Sequence, residues 1–531
     1  MENYSPEIRE SDKFLLLLNE VLEVHLHPQD QYEIAALLES MGWNDDRVSR
    51  EFKVKDIFDL ADLMWDEIQS QIGYQSFSTV EKTSASFLVT TMIRHFLRGL
   101  IFAFPMAISI AAMLNFKFSL WSYQYLSVEK ATSIAIGTIL SFVLVGGFTQ
   151  AIVRRGYFYI IQGNYKLARK NTFIFIGIGF VIGFFFSIFI IILNIIFNLF
   201  SYEMLFLIVL YFFFLTSIWL SVTVMYILKK EIIFTGLIIF GIFLVYVLFV
   251  VAGLDIIISQ LISLCVVSIC SLLLVLFFFY RSAKKNEKEI SKLPRFSITL
   301  YSVWPYFFYG FLYFSFLFVD RINAWSKNEE FMPYVIWFRG QYELGLDFAL
   351  LTIIIPMGVS EVVVNKLMFD LELSQKNYLA IESQKFYEKF LKMYKRMTLF
   401  ILISSVISSF IIYRLILWYN TVSIRINNEN ILESDVTLFV LFWGIVSYVI
   451  LAFSLMNVVI LFALSQPNRV IKAIIPALLI NLIVGFLLSR WFDYHFAVFG
   501  LFFGSILLSY LSTKYVIQII KNLDYYLYAA S

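Results

Sequence analysis

From residue 96 onward the chain alternates between long apolar runs and short polar connections. Each run is long enough to cross about 30 Å of hydrocarbon at about 1.5 Å per residue. Runs of this length are typical of membrane-spanning helices, so the pattern predicts an all-α polytopic membrane protein with twelve spans. The predicted spans are residues 96–115, 131–153, 172–199, 204–228, 232–253, 256–280, 298–319, 346–365, 397–418, 436–464, 468–489 and 496–520.

The stretch from residue 310 to residue 370 brings more acidic groups close to membrane segments than any other part of the chain. The seventh run stops at a charged pair, and the eighth is interrupted by Pro356 and Gly358. Ionised groups at bilayer depth are costly unless they face water or a partner. The stretch therefore predicts a polar pathway, against the alternative that its charges only mark the ends of spans. Its candidate residues are Asp320, Arg321, Trp325, Glu343, Asp347 and Glu361.

The first 90 residues have a helical periodicity without a long apolar run. One helix is expected around Leu15, Leu16, Leu18, Val21 and Leu22, and a second over 32–41, ending at Gly42. Asn44 or Asp45 is expected to cap a third helix, and residues 54–72 form a fourth. The pattern predicts a small helical domain, either a docking or regulatory domain or an inert cap.

Composition agrees with the hydropathy pattern. The 531 residues are 60% hydrophobic and only 15% charged, whereas soluble domains contain about 25% charged residues. No secretory signal opens the chain, so the first span is expected to direct membrane insertion. Cys265 and Cys270 lie in one apolar run and predict no disulfide framework.

Lys and Arg lie mainly on one side of the predicted spans. Twenty-two occupy the connections that share a side with the N-terminus, and seven occupy the opposite connections. Under the positive-inside rule this predicts a multi-pass membrane protein with both termini in the cytoplasm. The partners to expect are therefore lipids and a membrane-crossing substrate, and not nucleic acid.

The spans divide into two sets of six. An offset of 211 residues aligns Gln150 with Glu361 and Arg155 with Lys366, at the ends of the second and eighth spans. Two parallel repeats around a central cavity are a common transporter plan. The predicted organisation is a cytoplasmic helical domain (1–90), a first bundle (91–280), a basic linker (281–297) and a second bundle (298–531).

A group of cations is predicted at the cytoplasmic ends of the equivalent helices. Arg154, Arg155 and Lys366 lie there, close to Gln150. They could hold lipid phosphates or guide an anionic or amino-sugar substrate, or serve only as positive-inside anchors.

No catalytic pattern is present in the sequence. It lacks a Gly-Lys-Ser/Thr phosphate loop and a His/Cys cluster with metal-ligand spacing. We therefore expect no enzyme activity, no cofactor and no metal centre.

Several short motifs resemble the multidrug/oligosaccharidyl-lipid/polysaccharide (MOP) exporter superfamily, and within it the PelG-type exopolysaccharide exporters. Phe318 to Trp325 resembles a Trp-x-Asp-Lys-x-x-x-Trp pattern, with Phe318 and Arg321 as departures from it. Further similar stretches are Tyr342 to Phe348 with Pro356 and Glu361, Leu523-Asp524-Tyr525-Tyr526, and Gln150 with Arg154-Arg155. The N-terminal domain has no counterpart in that resemblance.

The resemblance implies export of a polysaccharide across a bacterial plasma membrane. It implies a cytoplasmic glycosyltransferase and companion membrane proteins as partners. Asp320 and Arg321 would form a charge pair that holds an outward gate, while Glu361 and Gln150 would line the inner mouth. Trp304, Tyr306 and Tyr309 could stack on sugar rings, or act as interface anchors.

Three other functions are kept open. A lipid-linked oligosaccharide flippase needs central cations for a diphosphate, but the sequence places its cations at the cytoplasmic rim. A MATE-like cation or drug antiporter needs an acid in its first helices, and the first span contains none. A membrane scaffold that recruits an enzyme would not need twelve spans.

Overall fold

A computed structural model describes residues 12–24, 30–74, 85–285, 295–327, 329, 332–375 and 383–528. Over these residues the chain consists of helices, their connections and an isolated antiparallel bridge between Phe118 and Tyr123. Its contacts separate it into two compact units, Met1–Val89 and Thr90–Ser531.

The first unit contains four helices around a small apolar core: α1 (Asp12–Val24), α2 (Gln31–Ser40), α3 (Asp45–Phe52) and α4 (Ile57–Tyr74). Asn44 caps α3, because its side chain accepts a hydrogen bond from the amide of Arg47 at 2.9 Å. Gly42 ends the preceding helix with a φ of +84°, a value that favours glycine. The buried face of α1 differs from the predicted one: Leu17 is buried, whereas Leu16 is 64% exposed.

The second unit is a helical bundle. Its helices are α5 (Ala85–Phe116), α6 (Val128–Ile161), α7 (Tyr165–Phe197), α8 (Tyr202–Ile227), α9 (Glu231–Tyr246), α10 (Ile256–Lys285), α11 (Phe296–Trp325), α12 (Gly340–Leu350), α13 (Ile354–Gln375), α14 (Ser383–Asn427), α15 (Asp435–Ala463), α16 (Pro467–Trp491), α17 (Val498–Lys521) and α18 (Leu523–Tyr528).

The prediction of an all-α polytopic membrane protein is confirmed. Among the residues that the structure describes, eleven helical segments are long and apolar enough to cross a membrane. The first predicted span makes a twelfth if its two parts, Thr90–Leu100 and Phe104–Phe116, count as one bent span. The bend is 52° and lies beside Pro105, whose ring removes a helical hydrogen bond.

The eighth predicted span is a broken helix. α12 and α13 are joined by a 3-10 turn, Leu351–Ile353, just before Pro356. The span as a whole runs over Gly340–Leu371, so it begins six residues earlier than predicted. The polar segment with Glu343 is thereby part of the helix.

The apolar interior of the bundle forms two cores. One is built mostly from α5 to α10 and the other mostly from α11 to α17. The predicted linker between two six-helix halves falls largely on residues 286–294, which lie outside the described residues, so that boundary stays a prediction. We call residues 90–285 the first half and residues 295–528 the second half.

Successive spans alternate in direction, which gives the bundle two faces. We call basic face the one where the connections 161–165, 227–231 and 463–467 lie, together with the helix ends at Lys285, Phe296 and Gln375. The opposite face carries the connections 116–128, 197–202, 251–256, 325–340, 427–435 and 491–494.

The two halves touch through closely packed glycines. A Cβ atom added to Gly310 of α11 would lie 2.0 Å from the carbonyl oxygen of Gly146 in α6. A Cβ on Gly99 of α5 would lie 2.7 Å from Cα of Gly358 in α13. Only a residue without a side chain allows helices to approach so closely.

Polar contacts also join the halves at the opposite face. Lys117, just after α5, pairs with Glu429, just after α14. Glu429 also accepts a hydrogen bond from the Tyr125 hydroxyl at 3.2 Å, and the Tyr419 hydroxyl donates to the carbonyl of Leu114 at 2.7 Å. The halves are therefore held together within the spans and at the opposite face.

Candidate functional site

The last turns of α11 and the first turns of α12 bring four charged side chains together near the opposite face. We call Asp320, Arg321, Glu343 and Asp347 the ionic cluster. Glu343 and Asp347 are four residues apart on α12, so both lie on one side of that helix. The early start of α12 is what brings Glu343 into the cluster.

Arg321 is the centre of the cluster. Its Nη1 donates to Oε2 of Glu343 at 2.7 Å, and its Nη2 donates to Oδ1 of Asp347 at 3.2 Å. The side chains of Arg321 and Glu343 are each only 9% exposed, whereas that of Asp347 is 46% exposed. Because Asp347 is bonded to a buried partner, its exposed part faces open space beside the cluster.

Asp320 has a different partner from the one expected. Its Oδ2 accepts a hydrogen bond from the Tyr342 hydroxyl at 2.9 Å, and its side chain is fully buried. The expected Asp320–Arg321 charge pair is therefore wrong: Arg321 pairs with the two α12 carboxylates. Adjacent residues on a helix point about 100° apart, so they face different neighbours.

Aromatic side chains enclose the cluster. Phe318 lies under Arg321, with 5.3 Å from the guanidinium carbon to the ring centroid. Trp325 is buried, lies beside Glu343 and packs on Phe338 with 5.4 Å between ring centroids. Tyr448 of α15 is buried next to Arg321. The apolar surroundings strengthen the ion pairs and make an unpaired charge costly.

The predicted cations at the basic face form a separate group. Arg154 lies over the ring of Tyr306 at 5.1 Å, and Arg155 donates to the Ser302 hydroxyl at 2.5 Å. Gln150 packs against Gly310. These contacts hold the end of α6 to the start of α11, so the arginines lie where the halves meet.

Glu361 and Lys366 lie apart from both groups. Glu361 accepts a hydrogen bond from the Asn365 amide at 3.2 Å and is electrostatically coupled to Tyr226 of α8. Lys366 is exposed. The structure therefore brings together five of the ten predicted residues, Trp325 and the ionic cluster. Gln150, Arg154, Arg155 and Glu361 lie along the contact between the halves, and Lys366 is exposed outside it.

The three aromatic residues singled out in α11 behave differently from one another. Trp304 is 50% exposed, as expected for an interface anchor. Tyr306 and Tyr309 are buried and pack on Phe462 of α15, with ring centroids 5.1 Å and 4.8 Å away. Burial makes the anchor interpretation wrong for these two tyrosines.

Sequence reasoning missed Trp219 and Phe142, which extend the aromatic surroundings of the cluster into the first half. Phe142 of α6 contacts Trp219 of α8 and Phe318 of α11. Phenylalanine makes up 58 of the 531 residues, so one more Phe in an apolar run carries no signal.

Among the residues that the structure describes, no three His, Cys, Asp or Glu side chains are placed to hold a metal ion.

Comparison with known proteins identifies the fold. No protein-family model matches the sequence, and no curated protein matches it. Solved structures do match. The MATE transporter VcmN of Vibrio cholerae, in its bent form, is 12% identical, with a TM-score of 0.54 over 84% of this chain and 100% of that one.

An inward-facing multidrug resistance MATE family transporter of the MOP superfamily is 14% identical. Its TM-score is also 0.54, over 80% of this chain and 98% of that one. A MATE transporter in complex with MaD3S is 12% identical, with a TM-score of 0.52 over 82% and 96% of the two chains. At these identities the likeness concerns the fold: this chain has the helical fold of MOP-superfamily transporters.

Proposed function

We propose that this protein is a membrane transporter that exports a polysaccharide across a bacterial plasma membrane. The observation that carries the proposal is the ionic cluster. Two stretches resemble the polysaccharide exporters in sequence, and the structure brings them together at this cluster. They are Asp320, Arg321 and Trp325 on α11 and residues 342–348 on α12. A motif split between two helices supports a shared function better than either part alone.

The balance of charge in the cluster argues against a lipid-linked oligosaccharide flippase. Binding a diphosphate at bilayer depth requires cations that are free to contact it. Arg321 is bonded to two carboxylates, and a third carboxylate, Asp320, lies beside it. The cluster offers an anionic ligand no free positive charge.

A cation or drug antiporter is the second candidate. Two carboxylates share the Arg321 guanidinium, and a third, Asp320, lies beside it on the Tyr342 hydroxyl, so the cluster has more acidic than basic groups and favours an additional positive charge. Asp347, the most exposed member, is the side chain that a cation from the open space would contact. The MATE transporters among the solved structures of similar fold support the same candidate.

The membrane orientation and partners follow from charge. We place both termini in the cytoplasm, because twenty-two Lys and Arg residues lie in the connections on that side against seven on the other. Residues 1–89 contain 18 acidic and 7 basic residues, an excess of eleven negative charges. We assign this unit to docking a cytoplasmic glycosyltransferase or a companion protein through a basic surface.

The test is the partition of polymer in the native host. The gene is deleted and restored with the wild type, the Asp347→Asn variant or the Lys472→Gln variant as a control. Secreted and cell-associated polysaccharide are then quantified after acid hydrolysis. We expect deletion and D347N to abolish or strongly reduce secretion, while K472Q, which removes an exposed charge of α16 outside the cluster, secretes normally.

Two outcomes would contradict the proposal. Unchanged secretion in the deletion strain excludes polymer export. Loss of resistance to cationic drugs in that strain, together with normal secretion, establishes the antiporter instead.

A further inference from the structure

A row of aromatic rings crosses from the first half to the ionic cluster. Trp219 of α8 stacks on Phe142 of α6, with 4.6 Å between ring centroids and 30° between ring planes. Phe142 in turn stacks on two rings of α11: Phe314 at 5.5 Å and 18°, and Phe318 at 5.7 Å and 27°. We call these four residues the ring row. It ends under Arg321, which lies 5.3 Å from the Phe318 ring.

The ring row is not closed off like an ordinary core. All four side chains are partly exposed, although each belongs to a membrane span and contacts another helix. Phe142 and Phe314 lie one helical turn from Gly146 and Gly310, where the halves touch. The row therefore lies beside the contact between the halves, the position at which two-bundle transporters hold their substrates.

Both ends of the row carry polar groups that can form further hydrogen bonds. The Trp219 indole N–H is buried and has no acceptor among the residues that the structure describes, and neither has the Thr216 hydroxyl one turn away. At the other end, Asp347 exposes nearly half of its side chain. Aromatic faces flanked by a few oriented polar groups are typical of small-molecule binding sites.

We propose that the ring row is the sugar-binding surface of the transport path. This inference rests on the proposed export of a polysaccharide. The faces of a pyranose ring carry C–H groups, which favour the electron-rich face of an aromatic ring, while its hydroxyls project from the rim. A sugar stacked at the Phe318 end of the row can also donate a hydroxyl hydrogen to Asp347.

A row of similar rings suits a polymer better than a single deep pocket. In the absence of sugar the rings stack on one another, so a passing sugar exchanges a ring–ring contact for a ring–sugar contact. A substrate held by several weak, equivalent contacts can advance without being trapped at any one of them. Binding along the row is therefore expected to depend on ring faces and little on sugar stereochemistry.

The first experiment compares ring variants in the deletion strain. Trp219→Phe keeps a stacking face and loses the N–H, whereas Trp219→Ala and Phe318→Ala lose the face. Trp418→Ala is the matched control, since Trp418 is 64% exposed on α14, away from the row. We expect W219A and F318A to lower secretion about tenfold at equal membrane abundance, with W219F and W418A near the wild type. Equal secretion by W219A and the wild type would overturn the inference.

The second experiment keeps the inference testable if polymer export itself fails. The purified full-length protein is titrated with cellotetraose, chitotetraose and tetraphenylphosphonium by calorimetry. Saturable binding of a tetrasaccharide, weakened at least about tenfold by W219A and little by W219F, supports a sugar site whatever the result of the deletion. Binding of tetraphenylphosphonium without either tetrasaccharide shows that the rings receive an organic cation and overturns it.

Discussion

Two buried polar sites, one in each half of the bundle, differ in chemical form. In the first half, the Tyr211 hydroxyl donates to Gln260 at 2.8 Å, and the Gln260 amide donates to the carbonyls of Ser119 and Ser122 at 3.1 Å and 2.9 Å. These groups are neutral. In the second half, the equivalent depth holds the ionic cluster, where Arg321 pairs with Glu343 and Asp347.

This difference separates two tasks that polar groups perform inside a membrane. A neutral network fixes helices and their connections in place at a moderate cost in desolvation. An ionic cluster costs more to bury and depends on every partner being present, so it can respond to a charge that enters or leaves. We infer that the network around Gln260 is the more rigid of the two sites and that the ionic cluster is the responsive one.

The largest effect is expected when the cation of the ionic cluster, Arg321, is removed. Arg321→Met leaves three carboxylates without a counter-charge, and breaking a buried ion pair in this way costs about 3–5 kcal/mol. We expect a large loss of folded protein, measured as the monodisperse fraction and thermal midpoint in detergent. Arg425→Met is the control, because Arg425 is exposed at the end of α14. If R321M and R425M have equal thermal midpoints, the ionic cluster does not depend on its cation, and the contrast between the two sites is wrong.

The next test disturbs the contact shared by both halves. Gly310→Ala places a Cβ atom 2.0 Å from the Gly146 carbonyl, so α6 and α11 must move apart, at about 1–3 kcal/mol. The same change at Gly177 of α7 meets no atom within 4 Å and is expected to be neutral or slightly stabilising. Thermal midpoints of the two variants measure the difference. Equal midpoints would show that the halves are not tightly packed there.

A matching change in the first half should have a smaller effect that can be partly reversed. Gln260→Leu leaves the Tyr211 hydroxyl and the Ser119 carbonyl without a partner, at about 1–3 kcal/mol, while the Ser122 carbonyl keeps its hydrogen bond from the Ser119 amide. Adding Tyr211→Phe removes one unpaired group and should recover part of the loss in thermal midpoint. If the double variant has the same thermal midpoint as Q260L, Gln260 acts through packing. Its hydrogen bonds would then contribute little to stability.

The smallest effect is expected for the ion pair between Lys117 and Glu429 at the opposite face, and it should depend on pH. The hydrogen bond from Lys117 lowers the pKa of Glu429 below its ordinary value of 4.5. A lowered pKa in the folded state stabilises the protein above the unfolded value, and that contribution is lost as pH falls through the folded pKa. Glu429→Gln should therefore lower the thermal midpoint slightly at pH 7, and the difference should vanish once the pH falls below the lowered pKa of Glu429.

Glu433→Gln serves as the control for this change, because Glu433 is an exposed acid in the same connection. A pH-independent difference between the wild type and E429Q would show that the residue acts through its shape and not through its charge.

The spans could be predicted from the sequence because each depends on a local property, the length of an apolar run. The seventh and eighth spans show where this fails. Asp320 and Arg321 were recognised as important, but their partners are set by which side of α11 faces α12, which hydropathy does not encode. The 3-10 turn before Pro356 and the early start of α12 likewise depend on packing.

Contacts between distant segments were beyond sequence reasoning. Lys117 and Glu429 are 312 positions apart, and each is an ordinary connection charge by itself. The ring row joins three helices through Phe and Trp side chains that are indistinguishable from their many neighbours in a chain with 19% aromatic residues. Such features become visible only when the helices are placed side by side.

α14 is a single unbroken helix of 45 residues, or about 67 Å, roughly twice the thickness of the hydrocarbon layer. Its early turns, with Phe386 and Phe390, share an apolar core with Leu367 and Leu371 of α13, and Lys389 donates to the Ser374 hydroxyl at 2.6 Å. The two helices are thus packed together at the basic face. A partner protein that displaces this end of α14 would also displace α13. Through the 3-10 turn, the displacement would reach α12 and the carboxylates that hold Arg321.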